Sequence, residues 1–204
     1  MMPVPTLYLF KPAFKRLLQP VCDRLARHGI SPNQVTVSAV VLSLAQGFWL
    51  MLEPGTRTAL LVLPFVLFVR MALNAIDGML ADKQGMRTPL GCILNELGDV
   101  TADAFLYLPF SLIPGINPVQ VVLLVVSGII VEMTGVTAAV IGAHRRNDGP
   151  LGKCDRAMLF GSIAVLLGLG IAPGLWLDVL LVSGLLLSAY TIYNRARCGV
   201  GETV

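Results

Sequence analysis

Charge is scarce in this sequence: only 13% of its 204 residues are Asp, Glu, Lys or Arg, against 55% hydrophobic. With a mean hydropathy of +0.77, so much apolar surface cannot be hidden in one soluble core, and a bilayer is the expected solvent. Cysteine is sparse as well. Cys22, Cys92, Cys154 and Cys198 form no C-x-x-C pair, so they read as reduced thiols without a functional role. The chain also lacks an internal repeat, a low-complexity tract and a small-residue cleavage site behind an apolar core, which argues against a cleavable secretory leader.

What is present is a series of apolar runs. A bilayer-spanning helix needs about 20 mostly apolar residues, and six stretches qualify: 35–53, 58–76, 92–113, 118–143, 157–172 and 175–193. Ahead of them Leu7, Leu9, Phe10, Phe14, Leu17 and Leu18 interleave with Lys11, Lys15 and Arg16, the pattern of a helix lying in the membrane interface. The expected fold is therefore an all-α integral membrane protein, a six-transmembrane-helix bundle preceded by an amphipathic interfacial helix. Its expected divisions are the interfacial segment 1–33, the membrane domain 34–196 and a short tail 197–204.

Basic residues orient such a bundle. Lys11, Lys15, Arg16, Arg24 and Arg27 precede the first run, Lys83 and Arg87 follow the second, Arg145, Arg146, Lys153 and Arg156 follow the fourth, and Arg195 and Arg197 follow the sixth. Arg57 alone lies on the other side. Both termini are thus expected in the cytoplasm, and the net charge of +3 reads as attraction to anionic membrane lipid, not nucleic acid.

The informative residues are those that do not belong in a membrane. An ionisable group there costs at least about 2.5 kcal/mol and faces the bundle interior or a watery cavity. Such residues gather where the second run ends, at Arg70, Asn74, Asp77 and Asp82, and where the third begins, at Asn95, Glu96, Asp99 and Asp103. Helical spacing puts Asn74 with Asp77 on one face and Asn95 with Asp99 and Asp103 on another. The short connection around 83–90 makes the two helices expected antiparallel neighbours, so these faces can meet near the cytoplasmic end. Clustered carboxylate and amide oxygens suit Mg²⁺ or Mn²⁺; a polar network that only holds two helices together is the alternative.

The stretch resembles the signature of the CDP-alcohol phosphotransferase family, D-x-x-D-G-x-x-A-R followed by eight residues and G-x-x-x-D-x-x-x-D. Asn74, Asp77, Gly78, Ala81, Asp82, Gly91, Asn95 and Asp99 fall on its eight fixed positions without an insertion. Three identities differ: Asn74 and Asn95 replace acids, and Asp82 replaces the arginine. The family is also similar in topology, in a P-N-x-x-T start to the first span, here Pro32 to Thr36, and in a G-K-x-D-R-type segment, here Gly152 to Arg156.

The resemblance implies an enzyme that moves a phospho-alcohol group from a CDP-alcohol, usually CDP-diacylglycerol, to an acceptor alcohol and releases CMP. It implies Asp99 as the base and a metal ligand, with Asp77, Asn74 and Asn95 completing the site for Mg²⁺ or Mn²⁺. Thr36, Gly78, Ala81 and Gly91 become nucleotide contacts, with Thr36 alternatively only a helix cap, and Lys153 and Arg156 contact phosphate or acceptor. With only two carboxylates, the site is expected to bind one metal or to bind metal more weakly. Arg70 stands on a face where it can replace the missing arginine, or it snorkels or pairs with an acid. Glu132 can pair with Arg70 or line the acceptor path, Glu96 points about 100° away from Asn95, and Asp178 reads as a solvated end charge. A shifted register would use Asp99 and Asp103 as the acidic pair, at the cost of the match to Gly91. Two further classes are a relative that binds CDP-alcohol without turnover and a small cation-coupled transporter, against which stand the one-sided acids and the lack of an inverted repeat. A homodimer and a bacterial inner membrane complete the expectation.

Overall fold

The protein is described here by a computed structural model covering residues 11–85 and 87–203. Leu7, Leu9 and Phe10 of the expected interfacial helix lie outside the described residues. The helices are α1 (Lys11–Arg27), α2 (Pro32–Leu52), α3 (Arg57–Gln84), α4 (Pro89–Tyr107), α5 (Pro118–Val140), α6 (Lys153–Gly168) and α7 (Leu175–Thr203), with a 3₁₀ turn at Leu108–Leu112. Among the described residues there is no strand.

Their boundaries follow local chemistry. Ser31 and Gln34 form a reciprocal capping box with Pro32 in the first turn of α2, satisfying amides that a helix start leaves open. Gly85 ends α3 with φ 62°, a left-handed conformation that costs glycine little. Three residues later Thr88 caps α4 by accepting from the Gly91 amide at 3.0 Å. Asn117 caps α5 in the same way.

Among the described residues four helices are long and apolar enough to cross a membrane: α2, α3, α5 and α7. The six expected spans therefore reduce to four by length and composition. α4 carries Asn95, Glu96, Asp99 and Asp103, and α6 has only 16 residues, so neither is apolar and long enough to cross by itself.

α1 packs on α3 through a small apolar cluster in which Cys22 and Leu25 meet Ile76, Met79 and Leu80. Arg16, Arg24 and Arg27 are left exposed on its other side. Lys83 also reaches from α3 to Asp23 of α1 at 2.7 Å, and together with Gln19 it holds the Asp23 carboxyl below the usual carboxylate range.

The main apolar core fills the half of the bundle remote from the α3–α4 connection. There Leu63 and Leu67 of α3, Leu106 of α4, Leu124 of α5, Phe160 of α6 and Leu181 of α7 are almost wholly buried. Tyr107 stacks on Phe160 with ring centroids 4.2 Å apart, and Phe110 meets the same ring edge-on. This core leaves the other half of the bundle to polar groups.

α2 packs closely against both α3 and α4. On its α4 side the approach depends on glycine, because a Cβ at Gly47 would lie 2.3 Å from the Phe105 carbonyl oxygen, and one at Gly98 would lie 2.8 Å from Val40. α3 and α4 meet instead through side chains, a departure from the expected direct packing of two helices joined by a short loop. α2, set against both, makes the space between them a cleft. A Gly47→Ala variant should lose roughly 1–3 kcal/mol of stability through overpacking, whereas Gly78→Ala, whose Cβ meets nothing within 4 Å, should lose none. Unfolding midpoints in detergent check this; equal midpoints would show that the α2–α4 approach tolerates a side chain.

Candidate active site in the α2–α3–α4 cleft

The facing polar residues of α3 and α4 form an antiparallel ladder, one helical turn per rung. Deepest is Arg70 with Asp103, Nη1 to Oδ1 at 2.6 Å; one turn nearer the connecting loop, Asn74 Nδ2 donates to Asp99 Oδ1 at 2.9 Å. The same register carries on to Gly78 with Asn95 and to Asp82 with Gly91, all four lining a cleft of about 410 Å³. This accounts for the spacing seen in the sequence: with Gly85 and Thr88 fixing the turn, the residues between Asp82 and Gly91 set which rungs face one another.

Asn74, Asp77, Asn95, Thr36, Gly78, Ala81 and Gly91, read from the sequence as one site, line this cleft together. Thr36 does not cap α2, since Ser31 does. Its hydroxyl lies 2.8 Å from Asp77 Oδ2, to which it donates, so α2 orients a carboxylate on α3. Gly78 and Gly91 differ in what they provide. A Cβ at Gly78 would project into open space, whereas one at Gly91 would press on Asn33 Oδ1 at 2.8 Å and Thr88 Oγ1 at 3.1 Å. The first leaves room for a ligand, and the second is also required by packing.

Asp99 sits one turn deeper than Asn95, and its side chain is 17% exposed. Lys153, the first residue of α6, places its ammonium on Asp99 Oδ1, the oxygen that also accepts from Asn74. The loop after α5 and the start of α6 thereby close one end of the site. That loop is tied to α7: Leu151 N donates to Thr191 Oγ1 at 3.1 Å, and Gly149, at φ 122°, lies where a Cβ would be 2.4 Å from Thr191.

Arg70 and Arg156, expected at a phosphate pocket, are placed differently. Both are buried in an ionic network behind the cleft, 1% and 2% exposed, because carboxylates deep in the bundle claim them. Asp103 is shared between them, its Oδ2 accepting from Arg156 Nη2 at 2.9 Å. Arg156 Nη2 also donates to Glu132 Oε1 at 3.1 Å, and Arg195 Nη1 lies 3.5 Å from Glu132 Oε2. Glu132 accordingly pairs with Arg156, Arg195 and Arg145 rather than Arg70. Glu96, turned from the cleft, pairs with Arg145 at 2.7 Å. Arg70 therefore does not fill the place of the missing signature arginine, and an Asp103 held by two guanidiniums is not offered to a metal, which counts against the shifted register.

The sequence reading missed Lys15, Asn33 and Arg87, which also line the cleft. In the sequence Lys15 and Arg87 carry only a topology signal. Only the fold brings α1 and the α3–α4 loop over the same opening.

Among the described residues no group of three or more His, Cys, Asp or Glu could hold a metal ion. Hard cations, however, also accept amide oxygens. Asp77, Asn74 and Asn95 line the cleft, and Asp99, outside its lining, is joined to them through the Asn74 amide; two carboxylates and two amide oxygens are ligands that suit a divalent ion.

Removing the shared carboxylate in Asp103→Ala should cost about 3–5 kcal/mol of stability, since it leaves two buried guanidiniums short of a partner. Denaturation in micelles checks it. A variant as stable as the parent but inactive would instead move Asp103 into the chemistry.

Comparison with known proteins bears on the family and the fold. Residues 29–191 match the family described as CDP-alcohol phosphatidyltransferase. Inner membrane protein YnbA of Escherichia coli (strain K12) is 42% identical over 192 residues, 94% of this chain and 95% of that one. Archaetidylinositol phosphate synthase of Aeropyrum pernix is 29% identical over 158 residues, 77% of this chain and 75% of that one. The fold is similar to that of Mycobacterium tuberculosis phosphatidylinositol phosphate synthase. Its structure with CDP-DAG bound gives a TM-score of 0.70 at 18% identity, covering 92% of this chain and 94% of that one. Its complex with manganese and citrate gives 0.72 at 18% identity, covering 89% and 88%.

Proposed function

Because the chain belongs to the CDP-alcohol phosphatidyltransferase family, we propose that the α2–α3–α4 cleft holds the cytidine diphosphate of its donor and that Asp99 takes the acceptor's proton. The chain is a multi-pass membrane enzyme of phospholipid synthesis that transfers a substituted phosphate from a CDP-alcohol. The observation that carries the site is the ladder: seven of the eight signature positions line one opening, the eighth, Asp99, is hydrogen-bonded to Asn74 beside it, and the rung beyond is locked in ion pairs.

In this reading CDP-diacylglycerol is the donor, with its nucleotide against Gly78, Ala81 and Gly91. Asp77, steadied by Thr36, Asp99 and the amide oxygens of Asn74 and Asn95 would hold one Mg²⁺ or Mn²⁺, which when bound would neutralise charge on the diphosphate. The acceptor hydroxyl oxygen attacks the phosphorus that carries the lipid alcohol. The bond from that phosphorus to CMP breaks, and CMP leaves with the electron pair. Asp99 receives the hydroxyl proton on Oδ2, since Lys153 and Asn74 already occupy Oδ1. Lys153 meets the acceptor or phosphate directly, whereas Arg70 and Arg156 act from behind by holding the ladder in place.

The reading extends to topology. All six helices α2 to α7 lie in the membrane, with 1–33 as the interfacial segment, 34–196 as the enzyme domain and 197–204 as the tail. Both termini face the cytoplasm, and similarity to an inner membrane protein of E. coli favours the bacterial inner membrane. The functional unit is a homodimer.

The deciding experiment is CMP release from CDP-diacylglycerol by purified protein in lipid, with and without Mg²⁺ or Mn²⁺, over a panel of acceptor alcohols. Metal-dependent release is expected, and Asp99→Asn should lower it by about 10²–10⁴, the usual contribution of a general base; full activity in that variant would remove Asp99 from the role. Metal stoichiometry is a separate test. Mn²⁺ titration followed by electron paramagnetic resonance should give one site per chain in the parent, weakened in Asp77→Ala, and two when Asn74→Asp and Asn95→Asp are combined.

A further inference from the structure

Asp82 places a negative charge where the signature has a guanidinium, at the rim of a cleft that must take a dianionic phosphate ester. By charge alone it should repel that ligand. The structure shows what accompanies it: Arg87, five residues on, donates to Asp82 Oδ1 from both Nε, at 2.8 Å, and Nη2, at 2.5 Å. Both residues line the cleft, with Lys15 of α1 across the same opening.

The contact is poorly suited to a structural purpose. Arg87 is 80% exposed and Asp82 48%, and exposed ion pairs contribute between about 0 and 1 kcal/mol. As a positioning device it is better placed. One carboxylate oxygen engages Nε and Nη2, so the fork is oriented while Nη1 keeps both its protons for another acceptor. A guanidinium anchored in this way presents paired donors to phosphate with little further loss of side-chain freedom. Nearby, Thr88, Gly91 and Cys92 at the start of α4 line the same cleft, which puts the positive end of a helix dipole at its rim. Arg70, the other arginine able to serve from these two helices, is committed to Asp103.

We propose that Arg87 is the diphosphate-binding guanidinium of this enzyme and that Asp82 is its positioning residue, so that the signature arginine has moved from the helix to the loop. The ligand class is the diphosphate of a nucleotide-linked alcohol, and the inference rests on the nucleotide reading of the cleft given above.

The test uses CDP, CMP and cytidine as probes, titrated calorimetrically into the purified full chain with Mg²⁺. Arg87→Ala should weaken CDP about tenfold or more, the usual effect of losing a charge-assisted hydrogen bond, and leave cytidine unchanged. Adding Asp82→Arg to Arg87→Ala should recover most of the loss by restoring the signature. Asp82→Asn should raise KM for the CDP-alcohol while keeping kcat within about twofold, because it loosens the fork without touching the reacting atoms.

Unchanged CDP affinity in Arg87→Ala overturns the proposal, as does full function of Arg87→Lys, which would need only a point charge. A loss confined to binding of anionic vesicles would assign Arg87 to lipid headgroups and overturns it equally. Parent protein that binds no CDP at all would overturn the nucleotide reading itself, an outcome distinct from failure of Arg87 alone.

Discussion

The Arg70–Asp103 pair fixes how far α3 can slide along α4, and every rung above it inherits that register. A shift of one residue would turn each side chain by about 100°, scattering the oxygen atoms that now line one cleft. The pair is buried, and a buried ion pair is retained only where further hydrogen bonds satisfy both partners. Asp103 meets this condition through Arg156, and Arg70 through the Asp99 carbonyl oxygen at 3.0 Å. The network then spreads by way of Glu132 to α5 and α7, tying the reacting end of the molecule to helices that never reach the cleft.

This division of labour lets a membrane protein afford charge. Deep acids and bases neutralise one another and stay dry, whereas Asp77, Asn74 and Asn95 remain beside an open cavity where water or substrate can satisfy them. The two asparagines lower the negative charge of the opening, and Lys153 on Asp99 lowers it further. Part of the charge at this end of the bundle is thus offset by a side chain of the protein itself. That is the physical sense of its departures from the family signature.

Much of this was legible beforehand. The apolar runs imply helices because a bilayer leaves backbone amides no other partner, and the spacing of Asn74, Asp77, Asn95 and Asp99 implies a common site because helical periodicity is local. Gly78 and Gly91 could be located by spacing, yet their different duties could not. One opens into the cavity and the other is pressed by Asn33, a residue of α2 that no periodicity links to α4. Arg156 shows the opposite failure. It stands near Lys153 in the sequence and, three residues along α6, on much the same face, but one turn deeper, where Asp103 and Glu132 claim it.

The sequence by itself determined the membrane, the helices and the presence of oxygen ligands at fixed intervals, since each depends on neighbours within a few residues. Tertiary structure alone decided partnership: that Asp103 belongs to two arginines, Glu132 to α6 and α7, Lys153 to Asp99, and Lys15 and Arg87 to one rim. Charged groups on long side chains reach any of several partners at nearly equal energy in isolation. The choice is made by which helices stand within their reach, and α2, drawn against α4 at Gly47 and Gly98, sets that geometry for the cleft.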